Sequence, residues 1–244
     1  MARRVGLEPT THWLTANCST TELPPIKNCF NNILTNSSQI KFLNLNMLYL
    51  ASESKRRKDI LKLLKIPFKS LQHNCDENKI AVNLTKPSSL VQKIAYHKAK
   101  SLLASVQSGY ILSADTIGYK DGNIIMKPSN RLSAEGMLRS LRNSDHYVYT
   151  GVCILEVNKY CVKKKFIDYD KTKVTFRNFT DKELSNYLDE NNFLHKAAGY
   201  GIQDSGAIFI KSITGCFYNV MGLPIDVLMN GLKVIDFNPR KLYS

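Results

Sequence analysis

The stretch Leu48-Tyr49-Leu50-Ala51-Ser52-Glu53-Ser54-Lys55-Arg56-Arg57 decides the fold. Leu48 to Ala51 is a short apolar run that fits a buried strand, and Ser54 to Lys65 then places Ile60, Leu61, Leu63 and Leu64 on helical spacing. The order is strand, serine-rich turn, helix. Ser52 or Ser54 is placed to cap that helix, whose first amides and positive dipole attract an anion. Arg56 and Arg57 oppose the dipole in the first turn, and an anion held between them and the amides removes the conflict.

Working outward, a strand led by Pro67 and an acidic turn precede a long amphipathic helix from Leu90 to Val106. Tyr110 to Ala114 reads as an apolar strand ending at Asp115-Thr116, and ligands of α/β proteins gather at such carboxyl ends. Ile124 to Met126 is a short strand before Lys127-Pro128, and Ala134 to Leu141 is helical. Tyr147 to Val157 and Lys164 to Phe176 alternate as a long hairpin around Asn158. Thr180 with Glu183 forms a capping-box pattern for a helix reaching Leu188. Ala207 to Ile213 and Phe217 to Val220 read as strands, and Pro224 to Leu232 as a closing helix with proline in its first turn. Strands and helices mix without a strict β-α repeat. The expected class is therefore α/β with a mixed sheet, not a regular doubly wound one.

Composition narrows the functional classes. With 244 residues, 43% of them hydrophobic and 22% charged, the chain is long enough to fold without disulfides. Its six cysteines contain no C-x-x-C pair, and no stretch reaches the roughly 20 apolar residues of a membrane-spanning helix. A reduced, cytoplasmic protein without a membrane partner is expected. The excess of 34 bases over 20 acids, +14, admits a polyanionic partner, although the lysine-rich, asparagine-rich composition accounts for most of it. Neither G-x-G-x-x-G, the Walker pattern nor G-x-S-x-G is present, and the five histidines are too scattered for a zinc site.

Residues 1–46 differ from the rest in lacking any persistent period. Gly6 to Pro9 can be encoded by the reverse complement of a transfer-RNA T arm, and Cys18 to Leu23 by that of a D arm. The two are offset by the spacing of those arms. The expected organisation is a non-native or disordered extension over 1–46, an antisense transfer-RNA reading plus intergenic sequence, and one catalytic domain over 47–244. Setting the extension aside removes Arg3, Arg4, Lys27, Lys41, Glu8 and Glu22, so the charge falls only to +12.

Chemistry-bearing residues stand at the ends of expected elements: Ser52 to Arg57, Asp76-Glu77, Lys98, Asp115-Thr116, Lys127 and Gln203. Hydroxyls, helix-end amides and guanidinium groups suit phosphates, and carboxylates suit a hard divalent ion or an attacking water. In order, these pieces resemble the Maf family of nucleoside triphosphate pyrophosphatases over about Met47 to Leu232. The S-x-S-P-R-R opening appears with Lys55 replacing proline, and Asp76-Glu77, Lys98-Ala99, Ala114-Asp115-Thr116 and Lys127-Pro128 follow. His146 to Thr150, Thr172 to Arg177, Tyr200 to Gln203 and Asn219 to Pro224 complete the series.

The resemblance implies a mixed elongated central sheet flanked by helices, with two lobes and a cleft between them, as in inosine triphosphatases. It implies hydrolysis of a nucleoside triphosphate to monophosphate and pyrophosphate with Mg²⁺ or Mn²⁺. Asp115 would be the catalytic proton acceptor, and Ser52, Arg57, Lys98 and Lys127 would hold phosphates. Glu77 and Asp115 would serve the metal. Arg56, Thr116 and Gln203 match the branch that cleaves dTTP and UTP, since a glutamine amide can pair with the donor and acceptor edge of uracil or thymine. Modified pyrimidine nucleotides are plausible substrates. A homodimer is expected, and no nucleic-acid partner. Alternatives are a nucleotide-binding inhibitor of septum formation and a basic nucleic-acid-binding module. Lys55, Gly118, His195 and the order Ala198-Gly199 depart from the family pattern, and none of them removes a proposed catalytic group.

Overall fold

The structure is a computed structural model that describes residues 47–81, 86–190 and 193–238. The expectation for residues 1–46 lies outside the described residues. Seven strands form one mixed sheet: β1 (Leu48–Ala51), β2 (Lys69–Leu71), β3 (Ser108–Lys120), β4 (Asn123–Ile125), β5 (Asp145–Asn158), β6 (Cys161–Phe176) and β7 (Ile210–Thr214). Their order is β2-β1-β3-β5-β6-β7, with β4 also on β3. β1 runs parallel to β2 and β3, and every other pair is antiparallel. The mixed-sheet expectation holds.

Period-2 alternation gives the central strands two buried faces. On one, Leu50, Leu112 and Ile154 pack with Ile60 and Leu61 of α1 (Lys55–Leu63) and Leu228 and Leu232 of α7 (Ile225–Val234). On the other, Ala51, Ile111, Cys153 and Leu155 pack with Ala95 and Ala99 of α3 (Pro87–Lys100). Further along the same strands Val148, Val174 and Phe176 join α4 (Arg131–Leu141) and α5 (Asp181–Glu190) in a separate core. Ala114 belongs to the first core and Val148 to the separate one, so Asp115 and Thr116 stand between them.

Close packing fixes α3. A Cβ on Gly151 of β5 would lie 2.5 Å from the Val91 carbonyl group and 2.7 Å from Gln92 N, so only glycine admits the helix backbone at this distance. The β5–β6 hairpin turns at Lys159 and Tyr160, both with positive φ, as in the type I′ turn that matches strand twist. Thr180 and Glu183 form the expected capping box, each side chain accepting from the other's backbone N–H, at 3.2 and 2.7 Å.

Four readings change. The helix expected over Leu90 to Val106 is α3, Pro87–Lys100; residues 101–105 are turns, yet Leu102 and Val106 remain buried against the same core, which prolonged the apolar spacing. β3 does not end at Asp115-Thr116 but runs on to Lys120, pairing Asp115 with Gly151 and Thr116 with Thr150. Polar residues inside a strand looked like its end. Phe217 to Val220 lies in a short helix, α6 (Phe217–Met221), closed by Gly222 at φ 113°; so few apolar residues fit either period. Ser205–Phe209 is a 3₁₀ turn, and β7 starts only at Ile210.

Candidate active site

The turn between β1 and α1 opens on a cleft of about 510 Å³. All four expected phosphate ligands, Ser52, Arg57, Lys98 and Lys127, line it together with Glu77 and Asp115. Glu77 starts α2 (Glu77–Ala81), Lys98 reaches in from α3, and Asp115 points from the middle of β3. The fold thus gathers residues 63 positions apart, from Ser52 to Asp115, at one place.

Lys98 is the hub. Its buried ammonium lies 2.7 Å from Asp115 Oδ1 and 2.8 Å from Glu77 Oε1. Lys127 approaches the other Glu77 oxygen at 3.7 Å. Burial pushes the Glu77 carboxyl upward, but the Lys98 and Lys127 ammonium groups outweigh it and leave the group below its ordinary value. Asp115 Oδ2 is buried and has no partner. A buried carboxylate oxygen left open at a cleft is poised to accept a proton or ligate a cation.

Neither serine caps α1. Ser54 stands at the N-cap position without a side-chain cap bond, and Ser52 Oγ accepts from Ser54 N at 3.3 Å and from Arg57 Nη1 at 3.1 Å. The arginine competes for the hydroxyl, so the helix start keeps open amides and no acid in its first turn. Arg57 also donates to Gly222 O (2.7 Å) and Thr116 Oγ1 (3.0 Å). Three of its N–H groups are thereby fixed, and the remainder are available to an anion. Burial lowers its pKa to about 10, with Asp115 opposing the shift, so it stays charged at neutral pH.

Arg56, Thr116 and Gln203 meet in a smaller pocket that shares Arg56, Thr116 and Ala197 with the main cleft. Arg56 donates to the carbonyls of Met221 (3.3 Å) and His195 (3.5 Å). Thr116 Oγ1 lies 3.0 Å from Thr150 Oγ1, which donates to Asn219 O at 2.8 Å. The proton order is then forced: Arg57 to Thr116, Thr116 to Thr150, Thr150 to the Asn219 carbonyl. Asn219 is itself held by Val148 O (3.0 Å) and Thr172 Oγ1 (2.9 Å).

Some participants were not singled out for a role. Thr150, Thr172 and Asn219 were legible only as motif members; their part comes from contacts spanning 34 to 71 residues. His73 was set aside with the scattered histidines, yet it lines the cleft. Burial, followed by the charge of Lys98, depresses its pKa and keeps it neutral at pH 7.

A mixed α/β sheet carries a cation-lined cleft, a half-open buried carboxylate and a side pocket of directed polar groups, chemistry that suits a phosphorylated ligand. The chain belongs to the family described as Maf-like protein, which matches residues 47–235. Relatives named dTTP/UTP pyrophosphatase occur in Bacillus mycoides (38% identity over 79% of this chain and 97% of the relative) and Ruminiclostridium cellulolyticum (36%, 77% and 95%). A third, from Clostridium tetani, is 38% identical over 78% of this chain and 97% of its own. Among solved structures, the Staphylococcus aureus Ham1 protein matches 78% of this chain and 95% of its own, with 8% identity and a TM-score of 0.39.

Proposed function

We propose that this chain hydrolyses dTTP and UTP, and modified pyrimidine nucleotides of like shape, to the monophosphate and pyrophosphate. One observation carries the reading: the cleft that holds Asp115 and the cations shares Arg56, Thr116 and Ala197 with the pocket that holds Gln203. A triphosphate in the first brings its base towards the second, whose free space of about 20 Å³ must widen to take a ring. The names of the relatives point the same way.

In this mechanism a water oxygen bonds to the α-phosphorus while the bridging bond to the β-phosphate breaks, and pyrophosphate leaves. Asp115 Oδ2 takes the proton of that water. Lys98 holds Asp115 by its other oxygen, so the free oxygen keeps one direction. Ser52, the uncommitted N–H groups of Arg57, and Lys127 grip the phosphates, neutralising charge and aligning the phosphorus for attack.

Glu77, beside Asp115 in the cleft, suits Mg²⁺ or Mn²⁺, hard ions that take few protein carboxylates and complete their shell with phosphate and water oxygens, while Asp115 Oδ2 stays free as the base. Among the described residues no group of three His, Cys, Asp or Glu forms a cage. When bound, the ion stabilises charge on the phosphates.

The test is a panel of canonical and modified nucleotides with pyrophosphate detection, with and without chelator. Pyrophosphate release from dTTP and UTP is expected, abolished by chelation and restored by Mg²⁺ or Mn²⁺. Release of orthophosphate alone would overturn the reading. A chain beginning at Met47 is expected to match the full chain in rate, because every proposed site residue lies beyond that position.

A further inference from the structure

We infer that His73 binds the terminal phosphates of the substrate, donating from its ring Nε2–H to the part that leaves as pyrophosphate. The inference rests on the dTTP/UTP reading above and adds a phosphate ligand that lies outside the family segments matched in the sequence.

The sheet sets the direction of the substrate. Its order across the site is β2-β1-β3-β5, and Leu71, the last residue of β2, pairs with Ala51, the last of β1. Ser70 Oγ donates to Ser52 O at 2.9 Å, which ties the end of β2 to the phosphate turn. His73, two residues beyond β2, therefore stands on one flank of Ser52. The small pocket is lined by Thr116 and Gly118 of β3 and Val148 of β5, on the opposite flank. A nucleotide whose base points to that pocket and whose α-phosphorus lies at Asp115 extends its β- and γ-phosphates past Ser52 towards His73.

The ring is prepared to donate. His73 lines the cleft, and its Nδ1 is buried with no hydrogen-bond partner, so Nε2 is the nitrogen open to the cleft. A neutral imidazole carries one N–H. On Nδ1 that proton would be an orphaned buried donor, which folded proteins rarely keep; on Nε2 it meets a ligand or water. The charged groups that act on the ring are Lys98, Glu77, Arg57 and Glu53. Lys98 and Arg57 are themselves proposed phosphate ligands, so an anion that reaches them lies beside the imidazole. A hydrogen bond from Nε2–H to an ionised phosphate oxygen is of the stronger, charge-assisted kind.

The test titrates inorganic pyrophosphate, and separately UMP, into the full-length protein in Mg²⁺ buffer by calorimetry, for the parent and its His73→Ala and His73→Gln variants. UMP lacks the terminal phosphates, so its affinity reports whether the rest of the site is intact. His73→Ala is expected to weaken pyrophosphate binding about tenfold, the scale of one hydrogen bond to a charged group, with UMP affinity unchanged. His73→Gln should restore most of the loss, since its amide N–H reaches the place of Nε2–H. A parent that binds no pyrophosphate, an alanine variant that binds it as tightly as the parent or loses UMP equally, or a glutamine variant as weak as the alanine one overturns the role of His73. A parent that releases no pyrophosphate from dTTP or UTP sinks the dTTP/UTP reading itself, whatever the titrations give.

Discussion

Lys98 Nζ lies 2.7 Å from Asp115 Oδ1 and leaves Asp115 Oδ2 buried without a partner. One oxygen anchors the carboxylate and the other is free to act. Asp115→Asn keeps the size and can keep the contact with Lys98 through its carbonyl oxygen, but presents an amide nitrogen where the proton acceptor stood. The expected outcome in steady-state kinetics is a kcat lower by about 10²–10⁴, the range for loss of a positioned base, with KM little changed. A change in KM alone would assign Asp115 to binding.

The same ammonium supports the fold. Lys98 and Asp115 side chains are 3% and 5% exposed, and Glu77 is 24% exposed. Lys98→Met would leave two carboxylates sharing a site with no buried cation between them. Stability is expected to fall by about 3–5 kcal/mol, as when one partner of a buried pair is removed, measured by urea unfolding at neutral pH. Lys127→Ala serves as the comparison. That side chain is half exposed and 3.7 Å from Glu77, so its loss should cost under about 1 kcal/mol.

These relationships were unequally legible in the sequence. The β1–α1 unit could be read because an apolar run, two serines and two arginines each point to one arrangement. Asp115 could be read as chemistry but not as mid-strand, since a buried carboxylate inside a strand is tolerable only beside a cation supplied from α3, 17 residues earlier. The Phe217–Met221 helix was misread as a strand because its stop is a left-handed glycine, and its buried polar residue, Asn219, bonds to strands about 70 and 47 residues away. Long-range partners, not local propensity, separate what could be read from what could not.

His146 carries a pH signature. It is 1% exposed, bonds Tyr200 through Nε2 at 2.7 Å and packs edge-on against Phe176. Burial, then the charge of Lys120, lowers its pKa to about 4 from an ordinary 6.5. The unfolded chain therefore takes up the proton first as pH falls. Its contribution is whole above pH 6.5 and is lost progressively down to about pH 4, roughly 3 kcal/mol in all. Urea midpoints measured from pH 7 to 4.5 should fall, and His146→Leu should flatten that limb while lowering stability at pH 7 through loss of the Tyr200 bond. An equally steep limb in the variant would assign the pH dependence to other groups.

Gly151 joins packing to chemistry. It pairs with Asp115 across β3 and β5, and α3 passes so close that an added Cβ would stand 2.5 Å from the Val91 carbonyl group. These are backbone atoms of a helix, so a side-chain rotation cannot relieve the overlap. α3 itself must move, and Lys98 lies two turns further along it. Gly151→Ala should therefore cost about 1–3 kcal/mol by overpacking and also disturb the ammonium that orients Asp115. Gly136→Ala, with nothing within 4 Å of its added Cβ in α4, provides the contrast and should leave stability equal or slightly higher. The decisive measurement pairs urea unfolding with kcat at a temperature where both variants are folded. A Gly151→Ala protein that loses stability yet keeps kcat would show that α3 can shift without carrying Lys98 away from Asp115.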